Sequence, residues 1–188
     1  MSDVTHILDR VQSGDPKAAE ELLPLVYDEL RRLAAARMAN EAPGQTLQPT
    51  ALVHEVWLRL AGDAQQRWND RQHFFRAAAE AMRHILVDRA RHRGAQKRGG
   101  YLRPTELSDS KVPMVSADEE LLAVHDALEQ LAQRDPASAE LVKLRYFAGL
   151  SMPEAAEALN LPLPTAERMW TFAKAWLRKA ISESKSGS

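Results

Sequence analysis

Apolar side chains recur along most of this chain every three to four residues, the spacing that places them on one face of an α-helix. The repeat is clear in the segments 22–33, 51–60, 72–92 and 121–144. No segment shows the alternation of apolar and polar residues that is typical of a half-buried strand. The pattern therefore predicts an all-α protein.

Clusters of turn-forming residues interrupt this repeat at three places. Pro43 and Gly44 follow the first long helix, and polar residues from 62 to 71 predict a loop. The segment 104–118 is rich in Ser, Asp and Pro and predicts a flexible linker. Because domains usually contain about 100 to 150 residues, we expect two small helical domains, residues 1–103 and residues 119–188.

The segment 141–174 has the features of a helix-turn-helix. Ser151 and Glu154 match a capping box, which marks the start of a helix. Asn160 tolerates the left-handed conformation of a tight turn, and the two prolines that follow it stop the first helix. A second helix is expected from about Thr165. Such a pair can present its second helix to the major groove of DNA, although a buried helical hairpin would have the same spacing.

Basic charge is concentrated between residues 83 and 103, whereas the whole chain has a net charge of only −1. This segment contains seven Arg or Lys residues and a single acid, Asp88, which gives it a local charge of +6. Arg89, Arg93 and Lys97 are spaced by four residues, so a helix would align them in one ridge. The ridge suits a phosphate backbone, and a solvated helical face is the alternative interpretation.

Several other classes of protein are not indicated. The chain has no cysteine, which excludes disulfides and thiolate metal sites and fits a reducing cytoplasm. It has neither an apolar run of membrane-spanning length nor an N-terminal leader, so we expect a cytoplasmic protein without membrane insertion. His54 and Glu55 are not followed by the second histidine of a zinc protease motif, and no glycine-rich phosphate loop occurs. We therefore expect no catalytic residues, no bound metal and no cofactor.

The order of these parts resembles the sigma-70 superfamily and, more narrowly, the extracytoplasmic-function (ECF) sigma factors. The resemblance rests on the segments 51–60, 74–100 and 141–177. It implies a bacterial transcription initiation factor that binds core RNA polymerase and promoter DNA. Domain 1–103 would then dock on the polymerase and open the minus-ten element, and domain 119–188 would recognise the minus-thirty-five element.

The resemblance also implies which residues contact the polymerase. In the family, the helix that matches 51–60 docks on the polymerase clamp. The candidates on this helix are His54, Glu55, Trp57, Leu58 and Arg59. Trp57 is equally compatible with a core position, and Glu55 with Arg59 could simply form an ion pair along one helix.

Candidate DNA contacts fall in both domains. Trp68, in the predicted loop 62–71, could stack on an extruded base or could plug the helical bundle. The minus-ten candidates on the basic helix are Arg83, His84, Asp88, Arg89, Arg91, Arg93, Lys97 and Arg98. The minus-thirty-five candidates on the last helix are Thr165, Glu167, Arg168, Thr171 and Lys174. Since acids and bases balance between residues 121 and 181, we expect the C-terminal domain to bind DNA weakly unless the polymerase tethers it.

Relatives usually carry an acidic cluster at the start of the docking helix, but residues 48–51 contain no acid. Phosphorylation of Thr50 would add about −1.5 to −2 charges there, and Thr46 is a second candidate. A Ser/Thr kinase or an anti-sigma factor is thus a candidate partner. A purely capping role for Thr50 is the alternative.

The sequence is also compatible with a second function. A helix-turn-helix transcriptional regulator, or a sigma-like adaptor without promoter-opening activity, would also account for the electrically balanced C-terminal segment.

Overall fold

A computed structural model describes residues 6–7, 10, 13, 15–38, 48–62, 70–99 and 117–186 of the chain. Within these residues the secondary structure is helical and contains no strand, so the predicted all-α class is confirmed. The elements are α1 (Pro16–Met38), α2 (Pro49–Gly62), α3 (Arg71–Gly99), α4 (Ala117–Arg134), α5 (Pro136–Val142), a π-helical turn (Lys143–Phe147), α6 (Met152–Ala158) and α7 (Leu163–Ser186). Trp68, Thr46 and all of the predicted linker except its last two residues lie outside the described residues.

Helix α2 begins earlier than the sequence predicts. Its first residue is Pro49, whose fixed φ and missing N–H suit the first position of a helix. The carbonyl oxygen of Gln48 accepts the amide hydrogens of Ala51 and Leu52, so Gln48 occupies the N-cap position. The prediction that Thr50 caps the helix is therefore wrong, because Thr50 is already the second residue of α2.

Helix α3 is the central helix of the fold. It is buried over much of its circumference, with Phe74, Met82 and Ile85 among its buried side chains. The side that carries Asp88 and Arg89 faces α2, and the opposite side faces α4 and the π-helical turn. Apolar residues from all seven α-helices join in one continuous core around it. The division into residues 1–103 and 119–188 stays a prediction, and the described helices of the two segments pack directly against each other.

Helices α6 and α7 meet at a tight turn whose details follow the sequence. The amide of Ser151 donates to Glu154 Oε2 (2.8 Å), and the amide of Glu154 donates to Ser151 Oγ (3.4 Å), which completes the capping box. Asn160 has a φ of 53°, as predicted for the residue that reverses the chain. Helix α7 begins at Leu163, two residues before the expected Thr165. The difference arises because a proline at position 164 is tolerated in the first turn of a helix.

A close contact joins the turn after the π-helical segment to α1. Gly149 has a φ of +75°, and a Cβ atom at this position would lie 2.9 Å from the backbone nitrogen of Arg37. Both the left-handed backbone and the short distance require glycine here. This contact holds the start of the α6–α7 pair against the N-terminal helices.

Candidate nucleic-acid interface

The candidate cations of α3 differ in their surroundings. Arg89 forms an ion pair with Glu55 of α2, and Asp88 accepts a hydrogen bond from Arg59 Nη2 (3.1 Å). The two charged candidates of α2 therefore pair with α3 and not with each other, so the alternative of an ion pair within α2 is wrong. These cross-helix pairs fix the position of α2 along α3.

Among the candidates whose side chains the structure describes, Arg83 is the most buried, with 6% of its surface exposed. Its Nη2 donates to Glu80 Oε1 (2.6 Å) on the same helix. Its Nη1 donates to Glu129 Oε1 (2.5 Å) and to His125 Nδ1 (3.0 Å), both on α4. Burial and then the nearby charge of Arg83 lower the pKa of His125, which favours the neutral ring that can accept this hydrogen bond. Arg83 is therefore positioned by α4 as well as by its own helix.

Arg93 makes a two-pronged contact with the first turn of α4. Its Nε donates to Asp118 Oδ2 (2.9 Å) and its Nη2 to Asp118 Oδ1 (2.5 Å). Paired parallel hydrogen bonds of this kind are the geometry by which a guanidinium also binds phosphate. In this conformation the carboxylate of Asp118 occupies the two-pronged face of the Arg93 guanidinium.

The remaining candidates of α3 lie towards its outer surface. Arg91 is exposed, and the exposed His84 has its Nε2 3.3 Å from Glu80 Oε1. Lys97 and Arg98 lie in the last turns of α3, but their side chains are outside the described residues. The structure thus brings Arg83 and Arg93 into contact with α4, whereas Arg89 lies beside α2.

The outward face of α2 combines apolar and polar groups. Leu58 is 56% exposed, an unusual exposure for a large apolar side chain, and His54, one helical turn earlier, is also exposed. Trp57 is half-buried and packs against the core, in agreement with the core alternative for this residue. A single exposed leucine is common on protein surfaces, so its exposure alone does not mark a binding site.

Helix α7 presents a mixed polar and aromatic face to solvent. Glu167, Arg168, Thr171 and Lys174 are exposed, and Thr165 is half-buried. Trp170 and Leu177 belong to the core, as the sequence predicts. Phe172, which is not among the candidates predicted from the sequence, is 51% exposed and lies one helical turn after Arg168. Its spacing of four residues from Arg168 places it on the same face of the helix, and this spacing could have identified it from the sequence.

The helical pair at the C-terminus and the basic central helix agree with a comparison against protein families. A model of the ECF sigma factor family matches residues 1–183 of the chain. The chain belongs to the ECF sigma factor family. This membership gives it a role in transcription initiation, with core RNA polymerase and promoter DNA as partners. A search of curated proteins finds no match to the chain.

Two structural findings concern other kinds of function. Within the described residues, no group of three or more His, Asp or Glu side chains is arranged to hold a metal ion. None of the described helices is both long enough and apolar enough to cross a membrane.

Proposed function

We propose that this ECF sigma factor docks on core RNA polymerase through α2, opens the minus-ten element along α3 and reads the minus-thirty-five element with α7. The observation that carries the proposal is that one chain combines a capped helical pair, whose second helix has an exposed polar face, with a long basic helix. Duplex recognition requires the first feature. Strand separation requires a basic surface that holds phosphates after the bases unstack.

Helix α7 offers side chains that suit base edges. The exposed Arg168 can donate two hydrogen bonds to guanine, and Glu167 can accept one from the amino group of cytosine. The hydroxyl of Thr171 is bonded to the backbone oxygen of Glu167 (3.0 Å). This bond leaves the threonine methyl group as its contact for thymine. The exposed ring of Phe172 adds apolar surface on the same face, so we expect a promoter element that contains thymine as well as guanine.

The polymerase contact is proposed for the outward face of α2. Leu58 and His54 are exposed there, while Glu55 and Arg59 are held by α3 and shape the rim of this surface. Burial of Leu58 against the polymerase would remove apolar surface from water, which contributes favourably to the free energy of binding. We place this activity in the bacterial cytoplasm, where a sigma factor meets its polymerase.

Transcription reconstituted from purified parts tests the proposal. Core polymerase, the full chain and fragmented genomic DNA should give transcripts whose upstream sequences share two spaced elements. Arg168→Ala should relax the preference at one base pair of the upstream element, by about 1 to 3 kcal/mol of discrimination. Arg134→Ala, which removes an exposed arginine from the end of α4, is the matched control and should leave the preference unchanged.

A chain that binds duplex DNA unaided but starts no transcripts with core polymerase would instead be a helix-turn-helix regulator. A chain that joins the polymerase without opening any promoter would be a sigma-like adaptor. Either result would overturn the proposed function.

Phosphorylation of Thr50 is the proposed switch for polymerase binding. Thr50 is exposed and is the second residue of α2, whose first turn contains no acidic side chain. A phosphate here would lie at the positive end of the helix dipole and would add about −1.5 to −2 charges to the docking surface. A Ser/Thr kinase is then the regulatory partner, with Thr46 as the second acceptor. Control by an anti-sigma factor is the competing mechanism.

The affinity of the chain for core polymerase measures this switch. Kinase-treated protein should bind more tightly than unmodified protein, and Thr50→Glu should reproduce part of the gain. Thr50→Val keeps the shape of the side chain but cannot be phosphorylated, so kinase treatment should no longer change its affinity. Equal binding by phosphorylated and unmodified wild-type protein would exclude the switch.

A further inference from the structure

The exposed face of α7 is poor in charge at its centre. The buried residues of this helix define its inner face and are Ala166, Ala173 and Leu177. At about 3.6 residues per turn, the stripe opposite them contains Arg168, Thr171, Phe172 and Ala175. All four are exposed, and Arg168 is the only charged residue among them. The part of α7 that faces away from the core therefore presents mostly carbon to its surroundings.

Positive charge lies at the edge of this stripe, beside Trp170. The ammonium group of Lys174 is 5.8 Å from the centre of the Trp170 ring, which is half-buried and packs against the core. The guanidinium of Arg145, on the π-helical turn, lies 5.2 Å from the centre of the same ring. Both cations are within the distance of a cation–π contact. They are thus placed for the phosphates that flank a groove, and the centre of the stripe is left for the bases.

Phe172 is the largest apolar group on the stripe, and 51% of its surface is exposed. A phenyl ring neither donates nor accepts ordinary hydrogen bonds, so it does not pair with the polar edge of a base. In the major groove, the apolar group that distinguishes one base from the others is the C5-methyl group of thymine. Contact with this ring therefore favours thymine over the other three bases.

The location of the ring, and not its exposure alone, points to DNA. A single exposed apolar side chain does not by itself mark a binding site. Phe172, however, lies on the second helix of a capped helical pair, in a chain whose family has promoter DNA as a partner. It also lies four residues after Arg168, which is about 6 Å along the helix, or about two base-pair steps.

We propose that Phe172 selects one thymine of the minus-thirty-five element through the methyl group of that base, beside a guanine that Arg168 binds. This inference rests on the proposed function, since it assigns α7 to that element, and it names the residue and the chemical group that set the specificity. Residues 121–181 carry no net charge. A methyl contact adds affinity that does not depend on phosphate neutralisation, and therefore not on salt.

Replacement of thymine by uracil tests the contact, because it removes only the methyl group and leaves base pairing intact. Two promoter templates that differ by one such replacement, and that give transcripts of different length, compete for a limiting amount of the chain bound to core polymerase. Each thymine of the upstream element is replaced in turn on both strands. With the wild-type chain, one replacement should reduce the share of its template by about threefold to fivefold, as expected for one buried methyl group.

Variants of α7 assign this preference to a side chain. Phe172→Ala and Phe172→Ser remove the exposed ring, so the uracil and thymine templates should compete equally. Lys174→Ala is the matched control, because it removes a phosphate contact from the edge of the same helix. It should weaken binding to both templates alike and leave the preference for thymine unchanged. The absence of a methyl-sensitive position for the wild type, or an unchanged preference in both Phe172 variants, would overturn the inference.

Failure of the proposed function gives a different result from failure of this inference. If the chain binds duplex DNA but starts no transcripts with core polymerase, the sigma activity is wrong, and the same uracil scan on that duplex still decides the contact of Phe172. If the wild type transcribes and no uracil replacement changes the competition, the sigma activity stands and the methyl contact is wrong.

Discussion

Arg83 shows how the surroundings of a residue can differ from what its place in the sequence indicates. In the sequence it is one of seven basic residues in a segment that suits phosphate, and the resemblance to sigma factors assigns it to the minus-ten element. In the structure its guanidinium is enclosed by Glu80, Glu129 and His125. The sequence could predict the charge but not this enclosure, because His125 and Glu129 are 42 and 46 residues away and no local pattern links them.

The pairing of His125 with Arg83 predicts a pH dependence of stability. Since the pKa of His125 is lowered in the folded chain, the neutral ring stabilises the fold above the unfolded pKa of about 6.5. That stability is lost as the pH falls through the lower, folded value. The charges that act on the ring are those of Arg83, Glu129, Arg91 and Asp126.

Urea unfolding at pH 7.5 and pH 5.5 measures this effect. The wild type should lose more stability over this range than His125→Asn, whose side-chain oxygen can accept from Arg83 without titrating. The same loss in both proteins would show that other groups cause the pH dependence.

At the scale of the elements, local signals predicted helix ends well where a side chain caps the backbone. The capping box at Ser151 and the left-handed Asn160 are both present. The predicted start of α2 was wrong, because the helix begins at Pro49 and Thr50 is therefore its second residue and not its N-cap. The π-helical turn at 143–147 was not predicted, since its apolar residues continue the spacing of an α-helix.

We expect the capping box at the start of α6 to contribute measurably to the free energy of unfolding. Burial raises the pKa of Glu154, but hydrogen bonds with Ser151 and the charge of Arg32 outweigh it and lower the pKa below its usual range. Ser151→Ala removes one of these bonds and leaves a backbone amide without its cap, so it should cost about 1 kcal/mol.

Thermal unfolding compares this variant with Ser182→Ala. Ser182 is an exposed serine of α7 whose hydroxyl bonds only to a backbone oxygen of its own helix among the described residues. Ser182→Ala should leave the melting temperature nearly unchanged. Equal melting temperatures for the two variants would mean that the capping box contributes nothing to the fold.

At the scale of the whole molecule, the order of the helices and the all-α class followed from the spacing of apolar residues. The contact between helices α1–α3 and helices α4–α7 did not, because it depends on pairs such as Arg93 with Asp118 and Arg71 with Glu157 that join distant segments. This contact gives a physical reason for the balanced charge of the C-terminal segment. Its acids are partly engaged by the basic side chains of α1 and α3.

The distance between helices α1–α3 and helices α4–α7, measured in a working initiation complex, tests the proposed promoter assignment most directly. The chain contains no cysteine, so Asp28→Cys in α1 and Gln133→Cys in α4, both at exposed positions, accept a dye pair specifically. We expect a separation within the ~40 Å width of a compact chain for the free protein. With core polymerase and promoter DNA we expect a markedly longer distance, as the two promoter elements require. An unchanged short distance in a complex that produces transcripts would contradict the assignment of α3 and α7 to separate promoter elements.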